Sequence, residues 1–220
     1  MKYCIMCGGV YGWSRPRQLT EINGERIVDR TMRLLMEEGI LNKDIMICVS
    51  PGTQEWFKDY YATVLNVDND YNPAAGHMDW VNGFMKTDHH VCYLFGDVYY
   101  SPDAIHKIVE TETSDIAFFA SAPPFSENYI KPYAEPFAFK VVDTSHFFAS
   151  VEMVKDLDRK GQFARIPIAW ELWQVIKGTE LNRIITNYEV INDYTCDVDY
   201  EGDIEKLEKI VKSLQEGSRR

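Results

Sequence analysis

Three stretches of this 220-residue chain place residues suited to phosphate and metal chemistry at the ends of strand-like runs. The first is Cys7-Gly8-Gly9-Val10-Tyr11-Gly12-Trp13-Ser14-Arg15-Pro16-Arg17-Gln18-Leu19, directly after the apolar run Tyr3–Cys7. Glycines in such a loop let the backbone approach a phosphate and aim N–H groups at it. Arg15 and Arg17 add positive charge; the alternative is a tight turn with two solvated arginines. The second is Gly96-Asp97-Val98, which closes the apolar run Val91–Phe95. A carboxylate there points into the crevice outside the strand ends where α/β sheets bind ligands, or else simply caps a turn. The third is Cys196-Asp197-Val198-Asp199-Tyr200-Glu201-Gly202-Asp203. In strand geometry Asp197 and Asp199 share one face and could share a divalent cation; a solvated acidic turn is the alternative. Asp203 is better explained by the first turn of a following helix. The pattern G-x-G-x-x-G is absent, as is G-K-[S/T], so neither a dinucleotide fingerprint nor a Walker loop is present.

These residues need a scaffold that brings strand ends together, and the order of segments supplies one. Strand-like and helix-like stretches alternate, the signature of a mostly parallel sheet with crossover helices. The strands expected are Tyr3–Cys7, Ile45–Val49, Thr63–Val67, Val91–Phe95, Asp115–Ser121, Pro136–Val142 and Tyr188–Asn192. Helices are expected over Glu25–Glu38, with Gly39 as its stop, and over Thr53–Tyr61, Met78–Lys86, Asp143–Asp156, Pro167–Lys177 and Gly202–Gln215. A further helix starts at Ser101-Pro102-Asp103, with Ser at the N-cap and Pro at N1, and runs to about Glu112. Asn72–His77 reads as a loop, and 122–135 as an insertion or flap near a substrate. Trp170 and Trp173, three apart, read as core packing before an acceptor pocket.

The composition narrows the function classes. A formal charge of −11 argues against non-specific binding to nucleic acid or an anionic membrane. It permits nucleotides, because a divalent cation can sit between carboxylates and phosphates. With 45% hydrophobic residues, the length suits a single α/β domain over 1–220. Five cysteines and no secretion-type leader suggest reduced thiols in a cytoplasm. Cys4 and Cys7 form a C-x-x-C, but without a second ligand pair they read as buried small hydrophobes.

The first loop, with Pro16-Arg17-Gln18-Leu19, Ile22-Asn23-Gly24-Glu25 and Asp29-Arg30-Thr31, resembles the start of the sugar-phosphate and phosphocholine nucleotidyltransferases. Leu94-Phe95-Gly96-Asp97-Val98 is similar to that family's L-x-G-D-V motif, and the run around Asp197 and Asp199 to its acidic run before the last helix. The resemblance implies a Rossmann-like three-layer sandwich with a mostly parallel mixed sheet, of the nucleotide-diphospho-sugar transferase type. It implies that residues 7–12 (Cys7, Gly8, Gly9, Val10, Tyr11 and Gly12) with Arg15 and Arg17 hold an NTP, and that Asp97 and Asp199, with Asp197 beside them, hold Mg²⁺ or Mn²⁺. Arg17 stands where the family carries Lys, which keeps the charge but not the geometry. Asn66, Asn69, Tyr71, Asn72 and Pro73 loosely match the acceptor-side run. On that match His77 and Asp79 are candidates for acceptor binding; for His77 a loop or cap role is the alternative.

The reaction so implied is attack of an acceptor phosphate oxygen on the α-phosphorus of an NTP, with pyrophosphate leaving. Arg15 and Arg17 assist catalysis by offsetting the repulsion between two polyanions. A phosphate monoester is largely dianionic near neutral pH and needs no general base. Tyr129 and Tyr133 are aromatic candidates for the acceptor pocket, where rings could cage a quaternary ammonium or stack on a sugar. CTP is the favoured nucleotide, with a sugar phosphate or a phospho-alcohol such as phosphocholine as acceptor, for a surface polysaccharide. A homodimer is left open. Two other readings remain: a glycosyltransferase using Asp197-Val198-Asp199 as an Asp-x-Asp, and a nucleotide-binding regulator without catalysis.

Overall fold

The computed structural model describes residues 1–8, 13–66, 68, 70–77, 80–122, 134–181 and 187–217. The apolar run at the start forms β1 (Lys2–Cys7), with Cys4, Ile5 and Cys7 fully buried. A short hairpin follows, β2 (Glu21–Ile22) with β3 (Glu25–Arg26). It turns at Asn23 and Gly24, both at positive φ, the Asn-Gly pair that tight hairpins favour. Helix α1 (Ile27–Glu37) therefore begins two residues later than the sequence pattern predicts. Then come β4 (Ile45–Val49), β5 (Ala62–Val64), β6 (Val91–Phe95), β7 (Val98–Tyr99), α2 (Pro102–Glu110) and β8 (Ile116–Ser121). The chain continues through β9 (Pro136–Val141), α3 (Thr144–Arg159), α4 (Ala169–Lys177), β10 (Glu189–Ile191), β11 (Cys196–Asp197) and α5 (Glu201–Gly217).

Seven strands form one sheet in the order β10-β8-β9-β6-β1-β4-β5. All its pairings are parallel except those of β9, which runs antiparallel to both β6 and β8. This is the mixed, mostly parallel sheet the sequence suggests. Successive strand residues point to opposite faces, and two cores follow. Ile5, Ile47, Val49, Leu94 and Phe119 pack with Val28, Leu34 and Leu35 of α1 and Ile105 and Ile108 of α2. Cys4, Cys48, Tyr93, Phe118 and Phe139 pack on the other face with Phe147, Val151 and Val154 of α3 and Trp170, Leu172 and Trp173 of α4. The result is a three-layer helix–sheet–helix sandwich.

Two expected helices are absent. Thr53–Tyr61 holds only a 3₁₀ turn, Gln54–Phe57. Phe57 is the one buried residue of that turn, while Trp56 is exposed, and a short helix without an apolar face lacks the packing that would stabilise it. Over Met78–Lys86 the described residues hold a 3₁₀ turn, Trp80–Gly83. The Ser101 cap forms as expected: its Oγ accepts from Ala104 N at 2.9 Å. All five cysteines are buried and unbridged, and Trp170 and Trp173 are core residues.

Candidate nucleotide and metal site

From β1 the chain moves outward through β4 to β5, then returns to lay β6 on the other side of β1. The direction of winding reverses between β1 and β6, and the crevice beyond their carboxyl ends is where such sheets bind ligands. Gly8 and Gly96 lie there. Gly96 N donates to Met6 O at 3.0 Å. A Cβ at Gly96 would overlap Met6 O and lie 3.0 Å from both Cys7 Sγ and Gln18 Cγ. The glycine is thus what lets the turn carrying Asp97 close onto β1.

Asp97 is joined to the far end of the chain by a ribbon. β7 pairs antiparallel with β11, Val98 opposite Asp197 and Tyr99 opposite Cys196, and Val198 N donates to Asp97 O at 2.9 Å. A third apolar cluster fixes the ribbon: Tyr99, Cys196 and Val198 pack with Ile22, Ile27 and Leu207 and Val211 of α5. β11 ends at Asp197, so the expected strand face shared by Asp197 and Asp199 does not exist. Asp199 is instead set by its surroundings. Its carbonyl accepts from Trp13 Nε1 at 3.1 Å, and Asp203 Oδ2 accepts from Asp199 N and Tyr200 N at 3.1 and 3.0 Å. Asp203 lies in the first turn of α5, as expected.

Arg17 occupies the middle of this arrangement. It opens a 3₁₀ turn, Arg17–Leu19, after the buried Pro16. Its Nη2 lies 2.9 Å from Asp97 Oδ2, and its Nη1 lies 2.6 Å from Asp199 Oδ1 and 3.2 Å from Val198 O. The Arg17 side chain is 15% exposed, Asp97 23% and Asp199 30%. Burial pushes the Asp97 carboxyl up to about 6, and Asp197 and Asp199 add to this, against the pull of Arg17. Burial disfavours the Arg17 charge, but Asp97, Asp199 and Asp197 outweigh it and hold that group above its ordinary value.

Glu135 joins the cluster without having been foreseen. It is buried, its Oε2 accepts from Asp197 N at 3.1 Å, and its backbone is clasped by Ser121, whose Oγ accepts from Glu135 N at 2.7 Å. Carboxylate oxygens of Glu135, Asp197 and Asp199 lie within 4.8 Å of one another. The reason is topological. Glu135 precedes β9, and because β9 is antiparallel, its start lies at the edge where β1 and β6 end. A carboxylate just before the strand at Pro136 was the available signal, but it needs the strand's direction to be read.

The other expected site residues have different surroundings. Cys7 is fully buried, and burial raises its thiol far above the usual range. Arg15 is exposed. His77 is bonded to α3: its Nδ1 is 2.6 Å from Asp158 Oδ2, and its ring stacks on Tyr71 at 4.7 Å. Gly9, Val10, Tyr11, Gly12, Asp79, Tyr129 and Tyr133 lie outside the described residues. A cavity of about 580 Å³ opens between β5 and α3, lined by Asn66, Asp68, Asn82, Glu152 and Lys155 among others; none of the carboxylate cluster lines it. Among the described residues, no helix is long and apolar enough to cross a membrane.

No protein-family model matches the sequence, and no curated protein matches it. Solved structures do. A Bacillus anthracis protein assigned as a glucose-1-phosphate thymidylyltransferase superposes with a TM-score of 0.59 at 13% identity, covering 96% of this chain and 95% of that one. This chain has the nucleotidyltransferase fold. The CTP:phosphocholine cytidylyltransferase of Streptococcus pneumoniae gives a TM-score of 0.51 at 17% identity, over 96% of this chain and 98% of that one. The inositol-1-phosphate CTP transferase of T. maritima gives 0.51 at 14%, over 95% of each. Within this nucleotidyltransferase fold, the carboxylate cluster and Arg17 stand at the switch point of the sheet.

Proposed function

We propose that the chain transfers a nucleoside monophosphate from an NTP to a small phosphorylated acceptor and releases pyrophosphate. The observation that carries this reading is the meeting of Arg17, Asp97, Asp197, Asp199 and Glu135 at the switch point of a nucleotidyltransferase fold. These five residues come from four separate places in the sequence, and a merely structural ion pair would not need four carboxylates.

The donor set suits a hard divalent cation. Carboxylate oxygens alone, close together and partly open to solvent, are what Mg²⁺ and Mn²⁺ prefer. Asp199, Asp197 and Glu135, together with Asp97, would hold the ion. When bound, it would supply positive charge to the triphosphate and to the departing pyrophosphate.

The chain's own residues provide the rest. Arg17 presents a planar fork that matches two phosphate oxygens, and Arg15 adds charge at the rim. The acceptor's phosphate oxygen forms a bond to the α-phosphorus. The bond from that phosphorus to the bridging oxygen breaks, and its electron pair leaves with pyrophosphate. No proton need move, which agrees with a cluster of carboxylates and arginine in place of a histidine–carboxylate base.

CTP with a phospho-alcohol or sugar phosphate leads the list of substrates. Two of the similar structures are named for CTP, and their acceptors are phosphocholine and inositol-1-phosphate. The test is a matrix of the four NTPs against phosphorylated sugars and alcohols, with Mg²⁺ and a pyrophosphatase-coupled readout. Acceptor-dependent pyrophosphate supports the reading. Consumption of a nucleotide sugar without any NTP would replace it by the glycosyltransferase alternative.

A further inference from the structure

Arg17 is asked to do two incompatible things. In the transfer reading its guanidinium meets phosphate, yet in the structure it bridges Asp97 and Asp199, oxygens that a divalent cation would use. A guanidinium hydrogen-bonded to Asp199 Oδ1 and ion-paired with Asp97 Oδ2 occupies the space at both oxygens and opposes a second positive charge beside it. The seat is also imperfect for Arg17. Its Nε is buried with no hydrogen-bond partner among the described residues, whereas a phosphate offers two acceptors to a fork that includes that N–H.

We propose that Arg17 is a latch: it closes the Asp97–Asp199 pair to divalent cations until a triphosphate draws the guanidinium away. The inference rests on the transfer reading for the identity of the triphosphate, but not for the competition itself. Asp97 and Asp199 stay positioned when the latch opens, because other contacts hold them. The β7–β11 ribbon fixes the backbone of Asp97, and Trp13 and Asp203 fix that of Asp199. Opening thus exchanges one cation for another without rebuilding the cluster. Linkage makes the exchange reciprocal: whatever factor the nucleotide adds to metal affinity, metal adds to nucleotide affinity. A lysine could not serve in the same way, since one ammonium on a shorter reach lacks the two-armed fork that spans both carboxylates.

The test is Mn²⁺ binding to the full chain without nucleotide, read from the loss of the free-ion EPR signal. Arg17→Ala should bind Mn²⁺ at least tenfold more tightly than the wild type. Arg17→Lys should fall between them, and it serves as the readout if the alanine variant does not fold by circular dichroism. Adding Asp97→Asn to Arg17→Ala should remove the gain. Equal or weaker Mn²⁺ binding by both Arg17 variants overturns the latch. Acceptor-dependent pyrophosphate release with unchanged Mn²⁺ affinity would sink the latch and leave the transfer reading standing. Tighter Mn²⁺ binding with no turnover of any NTP would do the reverse.

Discussion

Replacing Gly96 by Ala tests whether the close approach of two strands builds the site. The new Cβ would overlap Met6 O, a backbone atom of β1 that cannot rotate away, and would lie 3.0 Å from Cys7 Sγ and Gln18 Cγ. Relief requires β1 and the turn after β6 to separate, which lengthens the 3.0 Å bond from Gly96 N to Met6 O. Overpacking of a tight core costs about 1–3 kcal/mol, and a buried backbone hydrogen bond lost costs about 1–3 kcal/mol more. The expected loss is therefore roughly 2–6 kcal/mol in urea unfolding followed by circular dichroism. Gly202→Ala is the control: in α5, with nothing within 4 Å of its Cβ, it should gain up to about 1 kcal/mol from helix propensity. A Gly96→Ala protein within about 0.5 kcal/mol of the wild type, the range of a surface change, would refute the argument that this glycine brings Asp97 against β1.

Other outcomes follow from the same contacts. Glu135→Gln should weaken Mn²⁺ binding by tenfold or more while leaving the chain folded, as the metal titration would show; unchanged affinity would remove Glu135 from the ligand set. The Asp97 carboxyl is raised to about 6 in the folded metal-free protein against about 3.9 unfolded. Between those values the folded state binds more protons, so its contribution to stability falls as pH rises from 4 to 6 and is regained on acidification. Urea unfolding with a chelator should show this fall in the wild type, on the order of 1–2 kcal/mol, and lose it in Asp97→Asn. Ser101→Ala removes the cap on Ala104 N and the hydroxyl bond to Asp193, and should cost about 1–2 kcal/mol by the same unfolding assay.

Much of the scaffold was legible because burial leaves a period. The runs Tyr3–Cys7, Ile45–Val49 and Val91–Phe95 are apolar on both faces, as strands between two helical layers must be, and all three form. Ser101-Pro102 marked α2 through the chemistry of orphan N–H groups. The site was legible in part. Gly96-Asp97 fell at the strand end, and Asp199 met it from 102 residues further along the chain by number. What joins them was hidden: β7 and β11 have two residues each, too few to show any period. Glu135 was hidden for another reason, since its place depends on β9 running antiparallel, which no local pattern encodes. Arg17 was read as a phosphate ligand from its loop; that it also bridges Asp97 and Asp199 was hidden, because those carboxylates lie 80 and more residues away in sequence. The ring of His77 stacks on Tyr71, six residues before it, and meets Asp158, which is remote in sequence, a contact that no local pattern shows.

The central claim is that this cluster joins two phosphates and expels two others. Phosphorus NMR of the full chain with Mg²⁺, CTP and a phosphorylated alcohol or sugar tests it directly. New resonances of a diphosphate diester, its two phosphorus atoms joined by the new anhydride bond, should grow together with pyrophosphate, in equal amounts, and Asp199→Asn should suppress both. Orthophosphate and nucleoside diphosphate in their place, or an unchanged spectrum across all four NTPs and the acceptor series, would contradict the account.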